Sequence, residues 1–281
     1  MIENCIPLSC GNWEAEVLPP FGANLIALRY KGLPVLRTPD NIGQLNENPC
    51  LYGNPVLFPP NRTADGRFLF EKREYLLPVN ETFTGNHLHG MLYNAPFDVS
   101  EITDRSVVCH LKNRGEWFPF DFSMEISFEL NGEGLTQHIA IHNDGTGNMP
   151  VLLGFHTSFV APEDFSVSIK KRWERDLRHI PTGKLSDLSE RELYFKNGCA
   201  SEEQVISDYY TAEDTFARLG QFLYQVSPEF TQWVLYNGGG NKGFLCVEPQ
   251  SGPVNGLNIP GGYTVLPQGK TARFWLRFSI L

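Results

Sequence analysis

Four short polar segments interrupt the apolar runs of this sequence, and they hold the side chains best suited to chemistry. They are residues 59–63 (Pro-Pro-Asn-Arg-Thr), 86–90 (Asn-His-Leu-His-Gly), 152–159 (Leu-Leu-Gly-Phe-His-Thr-Ser-Phe) and 244–250 (Phe-Leu-Cys-Val-Glu-Pro-Gln). Imidazole and carboxylate groups of this kind can transfer protons near neutral pH, and an arginine can bind oxygen-rich ligands. Taken singly, none of the four segments decides a function.

Each candidate also has a structural interpretation. His156 lies between apolar neighbours, where a histidine is commonly a hydrogen-bonded structural residue. Glu248 ends an apolar run, and burying its carboxylate would cost several kcal/mol unless it is paired. Glu248 could instead emerge into solvent before Pro249, and Asn61-Arg62 could satisfy loop carbonyls. These alternatives stay open at the level of single residues.

Other site types have weaker support. His87 and His89 would share one face of a strand, but residues 91–96 contain no acid that could complete a metal site, and the sequence has neither HExxH nor paired cysteines at zinc spacing. No Gly-x-Ser-x-Gly elbow indicates a serine hydrolase. The run Gly238-Gly239-Gly240-Asn241 precedes no helical pattern, so it is interpreted as a turn between strands at 233–236 and 244–247. We predict no bound metal and no cofactor.

The elements that carry these segments are predicted to be β-strands. In residues 122–130 every even position is apolar and every odd position is polar, which places one strand face on a core and the other towards water. The turn residues 131–134 (Asn-Gly-Glu-Gly) join this strand to residues 135–141 in a predicted antiparallel hairpin. Residues 273–280 alternate in the same way, and residues 24–30 and 33–36 are interpreted as another hairpin.

The whole pattern predicts an all-β protein, a sandwich or barrel, in a single domain spanning residues 1–281. The 26 glycines and 20 prolines separate many short strands, and no internal repeat or linker-like shift in composition divides the chain. Helical periodicity is weak, with a short turn or two expected between Ser201 and Thr215. Residues 37–96 have few clean strand patterns, so we expect long connections there that carry function.

Composition excludes several classes of partner. The formal net charge is -9, and the densest basic stretch, residues 170–175, is interrupted by an acid, so nucleic-acid binding is not expected. No window approaches the ~20 apolar residues of a membrane span, and residues 1–7 lack the pattern of a signal peptide. The six cysteines, without CxxC spacing, are expected to be free and mostly buried. We therefore expect a cytoplasmic protein, a monomer or a homodimer, that binds neither nucleic acid nor membranes.

Together, and in this order, the four segments resemble the aldose 1-epimerase (galactose mutarotase-like) family. Asn61-Arg62 with Gly66, Phe68 and Tyr75 resembles the family's Asn-Arg…Gly-x-Phe…Tyr stretch, and residues 86–90 resemble its Asn-x-Leu-His-Gly element. Residues 154–159 resemble the family's Gly-Trp-His-Pro-Tyr-Phe segment, and residues 181–183 match the Pro-Thr-Gly that follows it. Residues 247–249, with Asn255 and Asn258 after them, resemble the C-terminal Val-Glu-Pro element. The resemblance covers roughly residues 13–281. Thr157-Ser158 departs from the commoner Pro-Tyr or Thr-Tyr.

The resemblance implies a large antiparallel β-sandwich, the supersandwich, with a sugar pocket on its concave face. It also implies interconversion of the α and β anomers of an aldose without a cofactor. His156 would be the general acid and Glu248 the general base. The sugar hydroxyls would be bound by Asn61, Arg62, His89 and Asp208, with Asp214 a nearby alternative to Asp208.

Mutarotation needs one group to take the proton of the anomeric hydroxyl while another protonates the ring oxygen, so we expect His156 and Glu248 to face each other across a gap about one pyranose ring wide. Three alternatives remain open. A hexose-6-phosphate mutarotase would need extra cations at the pocket rim, for which Arg67, Lys72, Arg73 and Arg114 are candidates. A non-catalytic carbohydrate-binding protein could use the same residues, and a glycoside hydrolase would need two carboxylates.

Overall fold

The computed structural model describes residues 2–200, 205–240 and 242–281, and most of them lie in antiparallel β-strands, which confirms the predicted all-β class. The strands in chain order are β1 (Ile6–Cys10), β2 (Trp13–Leu18), β3 (Asn24–Tyr30), β4 (Leu33–Pro34), β5 (Val56–Leu57), β6 (Arg62–Ala64), β7 (Arg67–Phe70), β8 (Arg73–Leu76), β9 (Asn86–Leu88), β10 (Asp98–Ile102), β11 (Ser106–Arg114), β12 (Asp121–Leu130), β13 (Gly134–Asn143), β14 (Met149–Val151), β15 (Gly154–Phe155), β16 (Ser158–Val160), β17 (Asp164–Arg175), β18 (Pro181–Asp187), β19 (Cys199–Ala200), β20 (Ser207–Leu219), β21 (Phe222–Val226), β22 (Gln232–Tyr236), β23 (Phe244–Gln250), β24 (Thr264–Leu266) and β25 (Thr271–Ile280). The helices are α1 (Ile42–Glu47) and α2 (Glu190–Asn197), with 3-10 turns at Leu92–Asn94 and Gly256–Asn258.

One large sheet organises the molecule. Its strands run in the order β10-β11-β12-β13-β25-β21-β20-β22-β23-β15-β5, with β16 also paired to β23 and β17 to β20. Strands β1 to β4 form a separate four-stranded sheet. The two sheets share a core, in which Trp13 of β2 lies against Phe222 of β21 with ring centroids 6.1 Å apart.

The hairpin predicted from alternating residues is confirmed. Phe122 of β12 pairs with Asn143 of β13, and Leu130 pairs with Leu135 across the turn. The apolar even positions of β12 are all buried, because one face of the hairpin packs on the core while the other faces water. The alternating C-terminal strand β25 is also confirmed, and it pairs with β13 and β21.

The prediction of a helical turn between Ser201 and Thr215 is wrong for residues 205–215, which the structure describes. Residues 201–204 lie outside the described residues, and Ser207 onwards belongs to strand β20. The helix in this region is α2, which begins earlier, after Ser189. Ser189 accepts a hydrogen bond from the Glu192 backbone, and the Glu192 carboxylate accepts one from the Ser189 backbone, which is a capping box.

Residues 37–96 form long connections, as predicted, which hold α1 and the short strands β5 to β9. The glycine run at 238–240 lies between the antiparallel strands β22 and β23, as expected of a turn, and Asn241 lies outside the described residues.

Of the six cysteines, Cys5, Cys10, Cys50, Cys109 and Cys246 are free, as expected. Only Cys109 and Cys246 are buried, and the other four are partly exposed, so the expectation of mostly buried thiols is wrong. Among the described residues, no helix combines the length and the apolar character that a membrane crossing requires.

Candidate active site

Strand register brings His156 and Glu248 together. Gly154 of β15 pairs with Gln250 of β23, and Ser158 of β16 pairs with Cys246 of the same strand. His156 lies midway between Gly154 and Ser158, and Glu248 lies midway between Cys246 and Gln250. The two residues therefore face each other across neighbouring strands. Residues two apart on a strand point to the same face, which explains why residues over ninety positions apart form one site.

The two side chains are in direct contact. His156 Nε2 lies 3.2 Å from Glu248 Oε1, and the side chains are 6% and 2% exposed. The expected gap of one pyranose ring is therefore wrong. Residue types do not encode the distance across the strands, and adjacent paired strands bring directly opposed side chains within about 4.5–5.5 Å at Cβ. A bound ligand would therefore lie over this pair rather than between its members.

The protonation of the pair follows from its burial. Burial lowers the pKa of His156 from its usual 6.5 to about 4, so the imidazole is neutral at pH 7. Burial raises the pKa of Glu248 well above 4.5, partly offset by the positive charge of Arg62. Both directions favour the form of the pair in which the shared proton lies on Glu248. An acid and a base are thus present together, with one proton between them.

Arg62 is fixed by four hydrogen bonds at the start of β6. Its Nε and Nη2 donate to the two oxygens of Glu81 over 2.9 and 2.6 Å. Its Nη1 donates to the Tyr209 hydroxyl over 2.6 Å and to Asn61 Oδ1 over 3.2 Å. Burial lowers the pKa of Arg62, but the hydrogen bonds and charge of Glu81 and the contact with Tyr209 outweigh it, so the pKa is raised. Arg62 stays a cation whose donors are largely used.

His89 is held beside His156 by an unusual backbone. It follows β9 with φ +68°, and its backbone N–H donates to the Asn61 carbonyl over 2.8 Å. The His89 and His156 rings meet edge to face with centroids 5.1 Å apart. Burial, with the nearby His156 and Arg62, lowers the pKa of His89 well below 6.5, so it is a neutral hydrogen-bonding group.

These groups line one cavity of about 600 Å³, a size typical of small-molecule sites. His156, Glu248, Asn61, Arg62 and His89 all contribute to its wall. Within the described part of the chain, three buried atoms of the wall have no hydrogen-bond partner: His89 Nδ1, His156 Nδ1 and Glu248 Oε2. Buried polar groups are normally paired, so these atoms mark where a polar ligand would bind.

Aromatic side chains also line the cavity. Tyr93 is in the wall, as is Tyr236, whose ring lies edge to face with that of His156. Phe155 and Phe159 are buried in the main core, and Trp117 is partly buried against the same core.

The structure does not bring Asp208 into this cavity. The residues on either side of it in β20, Ser207 and Tyr209, line the cavity, so alternation along the strand turns Asp208 to the other face. Its carboxylate lies 3.4 Å from Arg175 Nη2. Asp214 is exposed and accepts a hydrogen bond from the backbone of Thr215. The assignment of substrate binding to Asp208 is therefore corrected.

Tyr209 and Glu81 are wall residues that hold Arg62, and both were missed from the sequence. Alternation could have identified Tyr209, since it is the neighbour of Asp208 on the opposite face of the strand. Glu81 had a weaker signal: a buried arginine such as Arg62 needs a carboxylate partner, and Glu81 is the acid just before the segment 86–90.

Potential metal ligands also meet here. Donor atoms of His156, Cys246 and Glu248 lie within 4.8 Å of one another, and imidazole, thiolate and carboxylate are ligands that zinc accepts. A metal binds a thiolate, but burial and the charge of Glu248 raise the pKa of the Cys246 thiol well above 9.0. The thiol lies 3.1 Å from the Ser158 hydroxyl. The three residues fit a metal only after this thiol loses its proton, and the absence of metal stays a prediction.

Comparisons with known proteins agree with this geometry. The model of the family described as aldose 1-epimerase matches residues 8–279. The uncharacterized protein YihR of Escherichia coli K12 is 28% identical over 288 residues, covering 96% of this chain and 91% of its own length. The chain also resembles the crystal structure of a galactose mutarotase-like protein from Clostridium acetobutylicum, with 27% identity, a TM-score of 0.90 and coverage of 99% and 95% of the two chains.

A second solved structure, of a putative aldose 1-epimerase from Escherichia coli K12, has the same fold. It shares 19% identity and a TM-score of 0.85, with coverage of 99% of this chain and 98% of that one. The large antiparallel β-sandwich predicted from the resemblance is thereby confirmed. The family match over nearly the whole chain, on a fold that brings His156 and Glu248 into contact, shows that this protein belongs to the aldose 1-epimerase family.

Proposed function

We propose that the protein is a cofactor-free aldose 1-epimerase that interconverts the α and β anomers of an unphosphorylated aldose. The observation that carries the proposal is the buried contact of 3.2 Å between His156 Nε2 and Glu248 Oε1 in the wall of the cavity. The pair supplies one acid and one base to two oxygens bonded to the same carbon.

In ring opening, the base takes the proton of the anomeric hydroxyl, and the O–H electrons form the C1 carbonyl. The bond from C1 to the ring oxygen breaks, and its electrons take the proton offered by the acid. The aldehyde rotates about C1–C2, and closure on the other face reverses both transfers. The protein gives one proton and receives one, so the pair ends as it began.

Because His156 and Glu248 share one proton, either residue can act as the acid in ring opening. The family resemblance makes His156 the acid and Glu248 the base, which requires the charged form of the pair. The pKa directions favour the neutral form, in which Glu248 protonates the ring oxygen and His156 accepts from the anomeric hydroxyl. Since opening and closure exchange the roles, each residue acts as acid and as base in one turnover.

The charge of the wall supports a neutral sugar. Among the described wall residues, three are carboxylic acids (Glu47, Glu81 and Glu248) and one is an arginine, whose donors Glu81 and Tyr209 occupy. The cations suggested for a phosphate, Arg67, Lys72, Arg73 and Arg114, are not among these wall residues. A dianionic phosphate would therefore meet no free cation among the described residues of the wall.

Polarimetry tests the proposal. Purified protein is added to freshly dissolved α-D-glucose, α-D-galactose and a panel of other aldoses, and the approach to the equilibrium rotation is followed against buffer and against heat-denatured protein. We expect acceleration for at least one neutral aldose and less acceleration for the corresponding 6-phosphate. Rates equal to buffer over the whole panel would refute the enzymatic function, and sugar binding without acceleration would support the non-catalytic alternative.

A further inference from the structure

Strand β20 presents a tyrosine, not an aspartate, to the cavity. Ser207 and Tyr209 contribute to the wall, while Asp208 and Tyr210 point to the opposite face. Asp208 pairs with Arg175, and on the opposite face the Tyr210 hydroxyl donates to Glu192 Oε1 over 3.1 Å. Tyr209 is 4% exposed, so its hydroxyl is a buried polar group.

The Tyr209 side chain lies beside two guanidinium groups. Arg62 Nη1 donates to its hydroxyl oxygen over 2.6 Å, and the Arg175 guanidinium carbon lies 5.2 Å from the centroid of its ring. Burial raises the pKa of Tyr209, so the group is a phenol and carries its proton at neutral pH. The Arg62 donor uses a lone pair of the oxygen, which leaves the O–H proton to be donated elsewhere.

Arg62 cannot rotate to a different acceptor. Its Nε and Nη2 are held by the two oxygens of Glu81, and Glu81 itself accepts hydrogen bonds from the Thr84 hydroxyl and from Asn86 Nδ2. Nη1 is thereby directed at Tyr209 and Asn61. The orientation of the phenol is fixed before any ligand arrives, which lowers the entropy cost of binding.

We propose that Tyr209 is a substrate-binding residue that donates a hydrogen bond from its hydroxyl to a sugar oxygen, in the role that the family resemblance assigns to Asp208. The inference rests on the proposed function for the identity of the ligand as a sugar. An ionised aspartate could only accept hydrogen bonds from sugar hydroxyls, whereas this phenol, whose oxygen already accepts from Arg62, has a proton to donate. Tyr209 therefore selects for a substrate oxygen with a free lone pair.

The test measures binding separately from turnover. The probes are 1,5-anhydro-D-glucitol and 1,5-anhydro-D-galactitol, which lack the anomeric hydroxyl and cannot open. We expect Tyr209→Phe to raise their Kd by about 2- to 12-fold, the equivalent of one neutral hydrogen bond. With a reacting aldose, KM should rise by a similar factor while kcat changes by less than about twofold, because the contact is equal in ground and transition states.

Two further variants separate the possible outcomes. Tyr194→Phe makes the same chemical change at a tyrosine that is 64% exposed on α2, and we expect its Kd to equal that of the wild type. Asp208→Asn examines the rival assignment: a rise in Kd for Asp208→Asn with none for Tyr209→Phe would overturn the inference.

Misfolding and failure of the enzymatic proposal are both recognisable. If Tyr209→Phe does not fold, 3-fluorotyrosine incorporated at position 209 replaces it, and its fluorine resonance should shift when an anhydro sugar is added. An unmoved resonance under saturating sugar would overturn the inference. Anhydro sugars that bind through Tyr209 to a protein without mutarotase activity would refute only the proposed function. Wild-type protein that binds neither probe would overturn the inference itself.

Discussion

Replacing Glu81 by Gln should disable the site without touching the reacting pair. Glu81 holds Arg62 by two charge-assisted hydrogen bonds of 2.6 and 2.9 Å, and the side chains of Arg62 and Glu81 are 16% and 19% exposed. Glutamine keeps one acceptor oxygen but turns an NH2 group towards the guanidinium. The variant therefore loses one charged hydrogen bond and the ion pair, which leaves Arg62 free to shift relative to Tyr209 and Asn61.

The expected cost lies between two limits. Removing one partner of a fully buried pair costs about 3–5 kcal/mol, and exposed pairs are worth about 0.2–1 kcal/mol. For this mostly buried pair, with one hydrogen bond retained, we expect the free energy of unfolding to fall by about 2 kcal/mol, which corresponds to a fall in Tm of about 4–8 °C. A guanidinium displaced by about 1 Å should lower kcat/KM by about 10- to 100-fold.

Two pH effects distinguish this role from general destabilisation. Hydrogen bonds from Arg62 and Thr84 outweigh burial and lower the pKa of Glu81 below 4.5. A lowered carboxyl pKa contributes stability above pH 4.5 that is lost as the pH falls through the folded value, so the difference in Tm between wild type and Glu81→Gln should narrow in acid. Arg62, no longer neutralised, should also lower the pKa of Glu248 further and move the alkaline limb of kcat/KM to lower pH.

Differential scanning fluorimetry and polarimetry at several pH values measure these effects. The matched control is Glu16→Gln, because Glu16 pairs with Arg29 over 2.7 Å at 18% and 28% exposure and neither residue lines the cavity. The control should lose about 1 kcal/mol of stability or less and keep the wild-type kcat/KM. Wild-type kcat/KM and an unmoved alkaline limb in folded Glu81→Gln would refute this reasoning.

Two other predictions follow from the site. The His156–Glu248 pair is active when it shares one proton. The value of kcat/KM should therefore fall below about pH 4, where His156 becomes protonated, and fall again above the raised pKa of Glu248, where the shared proton is lost. A pH–rate profile that is flat from about pH 3 to about pH 10 would contradict the pairing. Gly90→Ala should lower the free energy of unfolding by at least about 3 kcal/mol and displace His89, because the new Cβ would lie 2.2 Å from the Phe58 carbonyl oxygen at φ +67°. The control Gly32→Ala, at φ +75° with open space around the new Cβ, should lower it by only about 1–2 kcal/mol, as measured by chemical denaturation. Equal losses of stability in the two variants would show that the close approach to Phe58 is unimportant.

Elements of the fold that depend on nearby residues could be predicted from the sequence, and elements that depend on distant residues could not. The β12–β13 hairpin was predicted because its alternation and its turn lie within one short segment. The helix α2 was missed although Ser189 and Glu192 carry a capping signal, because the helix is only eight residues long and its hydrophobic periodicity is weak.

The site shows the same limit. His156 and Glu248 were identified by the segments around them, but their contact depends on the pairing of β15 and β16 with β23, which no local pattern encodes. Asp208 lies one residue from the wall residue Tyr209, and a motif match does not state which face of a strand points at the cavity. The role of Glu81 depends on a loop that folds back on Arg62, and such long-range packing is not readable from residue types.

The pairing of His156 with Glu248 is tested most directly by two-dimensional NMR exchange on an aldose at anomeric equilibrium, comparing wild type with Glu248→Gln. The amide of this variant cannot carry or release the proton, but it fills the same space beside His156. The expected result is a fall of about 10²- to 10⁴-fold in the enzyme-catalysed rate of exchange between the α and β signals, with anhydro-sugar binding retained. Exchange by folded Glu248→Gln at the wild-type rate would contradict the account.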